Sequence, residues 1–501
     1  MDTVTYDFLR TNIEKALSEG LKKFIIYPFG YYGMAAKEML NKRYLIEESY
    51  IVDNGLAKIC DGILSVNDLA DKDLTGHCFL VCTEYKNLLN DIIDSIKKCL
   101  PMPKIVPILF PRADYPSRIK TLSADVGFLL QTLLDMLFQR SNTKDNRVDF
   151  TVFIQQMFNE DNVALSCWAS SWWFDKETMG QTFSAYPELF RKVSVDESVV
   201  ADRYILWGTQ LEQGYNIEFI KKIFLYNRQF AIAEAGLLHR VAVNTNDLYY
   251  GQGCSFMFDD ICPYYDARYS SRLERMLNDE NLVLSDSKLK RARNCIDKIL
   301  KNNLTKFNHQ PIYTPRMGRN NARKVLVIDQ NPRDKSILGG MAKEKMFQTM
   351  FDTAISENSE ADIIVKIHPD HNTWNVPTHF DLICQNKNIY FMHDDINPLS
   401  LIQYCDEVYV VTSTMGFEAI MCGKHTHIFG MPFYAGWGLG DCRQICPRRT
   451  NKRSLEEVFY ITYIMYTFYV NPLTNRRCEI EEAIDYLIDA RTRYFAEKKN
   501  A

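Results

Sequence analysis

Apolar residues along this chain fall in short runs that alternate with helical patterns. The runs at residues 23–27 and 78–82 are apolar almost throughout, as in strands buried on both faces. Apolar positions at helical spacing follow them at residues 34–40 and 88–99, and a further strand is predicted at residues 49–52. Strands that alternate with helices predict a parallel sheet, so we expect an α/β fold.

The same alternation continues further along the chain, in two stretches of similar size. Strands are predicted at residues 204–207 and 230–233 in the first stretch, and at residues 324–328 at the start of the second. A basic, polar segment at residues 301–324 separates them and is expected to form a hinge. Two similar α/β halves joined by a hinge are typical of the GT-B architecture. There a nucleotide donor binds between the halves, mainly on the second.

These patterns divide the chain into four predicted parts. Residues 1–115 form a small Rossmann-like accessory domain, and residues 116–147 form a helical connector with a helix at 126–138. Residues 148–320 and 321–501 form the two GT-B-like halves, for the acceptor and the donor nucleotide respectively. A length of 501 residues accommodates several domains of ordinary size.

Composition narrows the class of protein. Hydrophobic residues make up 46% of the chain and the formal net charge is −4, so no overall basic field favours nucleic acid as a partner. The N-terminal residues lack the apolar core of a signal peptide. The longest apolar stretch, at residues 458–470, is shorter than the about 20 residues of a membrane span. We therefore expect a cytoplasmic protein, at most peripheral on the inner membrane. Fourteen cysteines without a paired CxxC framework predict reduced thiols.

A glycine pair near the N-terminus raises the question of a nucleotide site. Gly30 and Gly33 follow the first predicted strand, and Asp53 stands where a ribose-binding acid would stand in a dinucleotide fold. The full GxGxxG pattern is absent. The residues are therefore compatible with a nucleotide or sugar-phosphate site, but a tight strand-to-helix turn in an accessory domain is favoured.

The strongest chemical signal lies after the predicted strand at residues 407–411. Ser413, Thr414 and Gly416 lead directly into a helix. Unpaired N–H groups at a helix start, with hydroxyls and a glycine for close approach, can hold a phosphate. A plain N-cap by Ser413 or Thr414 explains the same residues.

A second signal follows the predicted strand at residues 363–367. Lys366 and His368 stand at the carboxyl end of this strand, where open α/β sheets bind ligands. His368 can donate to a phosphate oxygen, or it can form a structural hydrogen bond at the strand end. His368 and His371 do not indicate a metal pair, because no acid stands at helical spacing from them.

Two further stretches carry acids and aromatic residues. Glu234 follows an apolar strand and precedes Ala235-Gly236, a plausible place for a base or nucleophile. The stretch at residues 258–268 combines acids with aromatic residues and could line an acceptor-sugar site, or form a solvated loop.

Taken in order, these residues resemble the capsule polysaccharide biosynthesis family, the β-Kdo transferases of the KpsC and KpsS type. The most distinctive stretch is Gly430-Met431-Pro432-Phe433-Tyr434-Ala435-Gly436-Trp437-Gly438-Leu439. The resemblance covers roughly residues 200–487. It also includes Asp329-Gln330 with Asp334-Lys335-Ser336-Ile337, Lys366 with His368-Pro369-Asp370, residues 412–419, Pro263-Tyr264-Tyr265-Asp266-Ala267 and Ser271-Arg272-Leu273-Glu274.

The resemblance implies a glycosyltransferase that moves Kdo or a related acidic sugar from a CMP-sugar donor to a glycolipid, oligosaccharide or capsule acceptor. It implies no cofactor and no catalytic metal, and a capsule assembly complex at the inner membrane as a partner. The implied catalytic residues are Glu234 and Asp260, and the implied acceptor residues are Tyr265, Asp266 and Arg268. The implied donor residues are Gln330, Lys366, His368, Ser413, Thr414, Gly416, Glu418, Tyr434, Gly436 and Trp437.

One position departs from the family pattern. The family motif is Glu-Asp-Gly with the Asp as presumed nucleophile, and Ala235 occupies that position here. Alanine cannot attack carbon. Three explanations stay open: Glu234 serves as base in a single inverting displacement, as in sialyltransferases; Asp259 or Asp260 supplies the nucleophile; or the chain is a disabled variant. The alternatives to an active Kdo transferase are thus a non-catalytic or differently specific family member and an inverting sialyltransferase-like enzyme.

Overall fold

A computed structural model describes most of the chain at its two ends and little of its middle. It covers residues 3–29, 31–58, 62–83, 86–109, 228–242 and 250–500, with gaps after residue 250 at 316, 375, 381–386 and 475. Between 110 and 227 it covers only short pieces, among them 163–166, 193–194 and 203–208. Almost all of the predicted connector at 116–147 and Gly30 lie outside the described residues.

The described strands and helices alternate over much of the chain. The strands are β1 (Lys23–Tyr27), β2 (Tyr50–Ile51), β3 (His77–Thr83), β4 (Lys104–Leu109), β5 (Val163–Ser166), β6 (Val193–Ser194), β7 (Arg203–Trp207), β8 (Gln229–Ala235), β9 (Ser255–Asp259), β10 (Lys324–Ile328), β11 (Asp362–Lys366), β12 (Ile389–Met392), β13 (Glu407–Val410), β14 (His425–Ile428), β15 (Asp441–Cys442), β16 (Thr467–Asn471) and β17 (Arg476–Arg477). The α-helices are α1 (Thr3–Ser18), α2 (Tyr31–Tyr44), α3 (Lys86–Cys99), α4 (Arg272–Asn278), α5 (Asp286–Lys301), α6 (Lys335–Gly339), α7 (Lys345–Glu357), α8 (Asp370–Trp374), α9 (Pro398–Tyr404), α10 (Met415–Met421), α11 (Leu455–Phe459) and α12 (Ile480–Asn500).

The chain divides into two compact units, residues 1–179 with 188–231, and residues 180–187 with 232–501. In the first unit, β1 to β4 form a parallel sheet in the order β2-β1-β3-β4. Its core contains apolar side chains from β1, β3 and α3. The strands predicted from the apolar runs in this part are therefore confirmed.

Asp53 and Gly33 have structural explanations in this sheet. One carboxylate oxygen of Asp53 accepts hydrogen bonds from the backbone N–H groups of Gly55 and Leu56 at 2.9 and 3.0 Å. The other accepts from Phe29 N–H at 3.1 Å. A Cβ on Gly33 would stand 2.3 Å from the carbonyl oxygen of Pro28. These contacts support the interpretation of a tight turn over that of a nucleotide site.

In the second unit, a six-stranded parallel sheet has the order β12-β11-β10-β13-β14-β15. Leu326 and Ile328 of β10 enter one hydrophobic core, and Val325 and Val327 enter another. Both faces of the sheet are therefore covered, which explains the continuous apolar runs. Because the strands are parallel, the segments after Ile328, Lys366 and Val410 reach the same edge.

The strands β8, β9, β16 and β17 of this unit pair antiparallel, within a seven-stranded mixed sheet. β9 pairs with β8 on one side and with β16 on the other, and β16 pairs with β17. The chain therefore returns from its C-terminal part to a strand that it formed about 200 residues earlier. An α/β fold with parallel sheets is confirmed, while the GT-B arrangement and the predicted domain boundaries stay predictions.

None of the helices in the described residues has the length and apolar character needed to cross a membrane.

Candidate functional site

The carboxyl edge of the six-stranded sheet is held together by Gln330 and Thr412. Thr412 N–H donates to Gln330 Oε1 at 2.9 Å, and Gln330 Nε2 donates to Thr412 Oγ1 at 3.0 Å. Cβ atoms on Gly340 and Gly430 would stand only 2.3 and 2.5 Å from the Thr412 methyl group. Gln330, predicted to bind the donor, therefore fixes the spacing between the ends of β10 and β13.

Ser413 and Thr414 are partly exposed at the start of α10. Ser413 Oγ accepts a hydrogen bond from Met415 N–H at 3.3 Å, while the Thr414 side chain makes no capping bond. Ser413 therefore behaves in part as a cap, and the Thr414 hydroxyl makes no bond to the helix start. Gly416 lies against Tyr434, whose oxygen would be 2.1 Å from an added Cβ.

Tyr434, Gly436 and Trp437 support this loop from behind. Tyr434 is buried, and its hydroxyl donates to the Ser413 carbonyl oxygen at 2.5 Å. Trp437 is also buried, and its Nε1–H donates to the Phe433 carbonyl at 2.8 Å. Gly436 has a φ of +88°, which a side chain rarely adopts. Both aromatic side chains are closed off from solvent and position the loop, and their role in donor binding stays a prediction.

Glu418 is the predicted donor residue of α10 that has a carboxyl group. Burial raises its pKa to about 8, and among the described residues its Oε2 has no hydrogen-bond partner. An acid in such surroundings is mostly protonated at neutral pH. Glu418 therefore adds little negative charge beside the start of α10.

Lys366 and His368 stand at the neighbouring strand end. Lys366 Nζ donates to the Ile367 carbonyl at 2.8 Å, and burial lowers its pKa to about 8 against the opposing effect of Asp395. His368 Nδ1 accepts from Asp370 N–H at 3.2 Å, which places the ring proton on Nε2 when the ring is neutral. The His368 side chain is 38% exposed. Its Nε2–H is therefore suited to donate to a ligand.

Glu234 lies half-buried at the end of β8 and accepts a hydrogen bond from Tyr265 Oη at 2.9 Å. Burial raises the pKa of Glu234, while the charge of Lys306 and the Tyr265 hydrogen bond oppose that rise. Burial also lowers the pKa of Lys306. An acid bound by a phenol and a lysine close enough to affect its charge thus both have shifted pKa values, as the acids and bases of many catalytic sites do.

The other acids near β9 are already paired. Buried Asp259 accepts from Arg272 N–H and Tyr466 Oη, both at 2.8 Å, and burial raises its pKa to about 6. Asp260 forms an ion pair with Arg275 at 2.6 Å. Asp259 and Asp260, the two acids considered as substitute nucleophiles, thus already have hydrogen-bond or ion-pair partners.

Asp266 and Arg268, the predicted acceptor residues, form an ion pair with each other. Arg268 Nε and Nη2 donate to the two carboxylate oxygens of Asp266 at 2.9 and 2.7 Å. Of the three residues predicted for the acceptor, the structure brings Tyr265 to Glu234 and joins the other two as a pair.

Helix α6 links the Glu234 cluster to the edge of the parallel sheet. Gly339 of α6 accepts Ala267 N–H at 2.8 Å, and its Cα faces the Tyr265 backbone so closely that a Cβ would be 3.1 Å from the Tyr265 oxygen. At its other end, Asp334 is close enough to raise the pKa of Glu234. The next residue, Gly340, packs on Thr412. The residues predicted from separate motifs therefore surround one short helix.

Lys306 and Asp334 were not among the predicted site residues. Lys306 lies in the segment predicted as a hinge, and no strand end or motif marks it. Asp334 was part of a family-like motif, and it caps α6 by accepting Ser336 N–H at 2.8 Å. The folded structure alone brings Lys306 near enough to Glu234 for its charge to lower the pKa of that acid.

Comparisons with known proteins show which proteins this part of the chain is similar to. The family model described as capsule polysaccharide biosynthesis protein matches residues 286–477, which include the parallel-sheet edge. A solved structure of KpsC from Thermosulfurimonas dismutans, a β-Kdo 2,4 transferase, is 27% identical with a TM-score of 0.58, covering 65% of this chain and 98% of that one. Residues 286–477 of this chain are therefore similar to the capsule polysaccharide biosynthesis family.

Two curated proteins match part of this chain, and the match covers less than two thirds of each of them. The capsule polysaccharide modification protein LipA of Neisseria meningitidis serogroup A is 39% identical over 242 residues, 46% of this chain and 34% of LipA. The lipopolysaccharide-processing protein LpsZ of Rhizobium meliloti is 32% identical over 288 residues, 56% of this chain and 62% of LpsZ. The match with this chain thus spans about a third of LipA.

Proposed function

We propose that this chain is a glycosyltransferase that transfers Kdo or a related acidic sugar from a CMP-sugar to a capsule or glycolipid acceptor. The observation that carries the proposal is helix α6. It places the Glu234–Tyr265 pair beside the edge of the parallel sheet that carries His368 and Ser413. The likeness to a β-Kdo transferase supports the choice of sugar.

Each part of the site has a task in this reaction. The acceptor oxygen bonds to the anomeric carbon as the bond from that carbon to the CMP phosphate oxygen breaks, and CMP departs with the electron pair. The acceptor proton passes to Glu234, whose raised pKa suits a general base. His368 Nε2–H and the start of α10 face the growing negative charge on the phosphate. The cationic side chain of Lys306 is suited to the carboxylate of an acidic sugar.

Ala235 favours a second candidate, a family member that binds the donor without transferring it. The nearby acids Asp259 and Asp260 are held by Arg272, Tyr466 and Arg275, so they are poorly placed to replace a missing nucleophile. Such a protein would act in a capsule assembly complex at the cytoplasmic face of the inner membrane.

A panel of CMP-sugars separates the two candidates. We expect CMP-Kdo to bind more tightly than CMP-sialic acid, and to be turned over with a lipid-linked or oligosaccharide acceptor. Binding without release of CMP in the presence of acceptors would favour the non-catalytic candidate. Equal binding of CMP and of unrelated nucleotides such as UMP would overturn both.

A further inference from the structure

Three potential metal ligands meet at the amino ends of β13 and β14. Glu407 and His425 are direct partners in the parallel pairing of these strands, and His427 lies two residues beyond His425. Residues two apart in a strand point to the same face, so the three side chains share one side of the sheet. One ligand atom from each lies within 4.8 Å of the others.

His427 is oriented by neighbours on its ring face and at Nδ1. Its Nδ1 lies 2.9 Å from Asp441 Oδ2, and the Tyr409 ring stacks on it with a centroid distance of 4.1 Å. Arg443 Nη2, whose group carries two hydrogens, lies 3.1 Å from Nδ1 and also donates to Glu357 at 3.0 Å. A carboxylate on one ring nitrogen is the usual support for a histidine that binds metal through the other. Here the other nitrogen, Nε2, faces Glu407.

Glu407 is held in a similar way. It is buried, Arg323 binds its Oε2, and its Oε1 faces His427 Nε2. Around this point three carboxylates, from Glu357, Glu407 and Asp441, face two guanidinium groups, from Arg323 and Arg443. These five groups carry a net negative charge, which favours the binding of a cation.

His425 provides the third ligand and the route of entry. Its side chain is exposed, and its ring centroid lies 4.6 Å from that of His427. We propose that Glu407 Oε1, His427 Nε2 and one ring nitrogen of His425 bind a zinc ion, with water in the fourth position. Zinc takes these ligands at about 2.0–2.2 Å in a tetrahedral arrangement, so ligand atoms stand roughly 3.3 Å apart. The ion would replace the hydrogen bond between His427 Nε2 and Glu407 Oε1, and the exposed His425 side chain would turn toward it.

The site is structural. It lies at the amino edge of the sheet, whereas Ser413 and His368 follow the carboxyl ends of β13 and β11. An ion there ties β13 to β14. The competing explanation without metal is that His427 bridges Glu407 and Asp441 by hydrogen bonds alone, in which His425 has no part.

His425→Gln distinguishes the two, because it removes a ligand from an exposed position and leaves His427 untouched. We expect the full-length chain, stripped with EDTA, to bind one zinc ion in calorimetry and to gain thermal stability with zinc but not with magnesium. His425→Gln should weaken zinc binding by about tenfold or more, with an unchanged melting temperature in EDTA.

His77→Gln is the matched control, a histidine at the start of a strand in the other unit. It should bind zinc as the unchanged chain does. Absence of zinc binding, equal binding by His425→Gln, or an equal loss in His77→Gln would each overturn the zinc site. The first two outcomes would leave the bridging His427 as the explanation of the cluster.

Discussion

Glu234 is bound by a different kind of partner from the acids near β9. Asp259 and Asp260 are held by arginine or by several donors, whereas Glu234 accepts one hydrogen bond, from a phenol. If Glu234 is the base, Glu234→Gln keeps its shape but cannot take a proton. We expect it to abolish transfer measured as CMP release while CMP affinity by calorimetry stays within about twofold.

Asp260→Asn is the comparison for this substitution. Loss of transfer in Asp260→Asn with full activity in Glu234→Gln would assign the chemistry to the acid paired with Arg275.

If the unchanged chain has no activity, Ala235→Asp becomes the test, with a sugar adduct sought by intact-mass spectrometry. Residues 234 and 235 are successive in β8 and so point to opposite faces. An adduct after Ala235→Asp would show that the anomeric carbon sits on the face away from Tyr265.

Lys306 sets the pH at which Glu234 can act. Its positive charge lowers the pKa of Glu234 against the effect of burial. Without that charge the pKa of Glu234 rises, so the carboxylate forms only at higher pH. For Lys306→Met we therefore expect the acidic limb of the pH profile of kcat/KM to shift to higher pH. Lys301→Met, an exposed lysine at the end of α5, should leave the limb in place. A shift in both variants, or in neither, would count against this role.

His368 is the residue we expect to matter most for the departing phosphate. His368→Ala should lower kcat/KM or CMP affinity by about tenfold, which corresponds to about 1.4 kcal/mol. His371→Ala removes a nearby ring whose Nδ1 already faces the Val376 carbonyl at 2.8 Å, and should have little effect. Equal kinetics for His368→Ala and the unchanged chain would remove the histidine from the donor site.

At the scale of elements, one turn combines a residue for binding with a residue for folding. Ser413 is partly exposed at the start of α10, while Gly416 is buried against Tyr434 and Val410. Gly416→Ala forces overpacking, which typically costs about 1–3 kcal/mol, so its melting temperature should fall. Ser413→Ala should keep the melting temperature and weaken CMP binding. The reverse pattern, measured by thermal unfolding and calorimetry, would contradict the division of roles in this turn.

The elements themselves differ in how far the sequence predicts them. The strand predicted at residues 324–328 is β10 residue for residue, because a run buried on both faces is apolar throughout. The pairing of β9 with β16 has no such signal, since two strands far apart in the chain carry no mark of their partner. The aromatic residues after Gly430 suggested a ligand loop, but Tyr434 and Trp437 are core. A distinctive motif in the sequence therefore does not show whether its side chains bind a ligand or pack in the core.

At the scale of the whole molecule, every candidate donor residue lies in the unit of residues 232–501. A chain that begins at Val148 should therefore bind CMP with an affinity within about twofold of that of the full chain, as judged by calorimetry. Circular dichroism would check that it folds. A folded chain without CMP binding would show that residues 1–147 contribute to the site. Independently, Asp53→Asn in the full chain disturbs only the turn at β1 and should leave CMP binding unchanged.

The return of β16 to β9 has a consequence for how the protein forms during synthesis. Until residues 467–471 leave the ribosome, β9 has an open edge, and Asp259 lacks the hydroxyl of Tyr466 that binds it in the finished structure. Contacts between such distant residues form slowly, and an open edge can pair with another chain. Ribosome pausing before residues 467–471 have left the ribosome would thus expose nascent chains to aggregation, whereas a delay after they have left and paired with β9 would not.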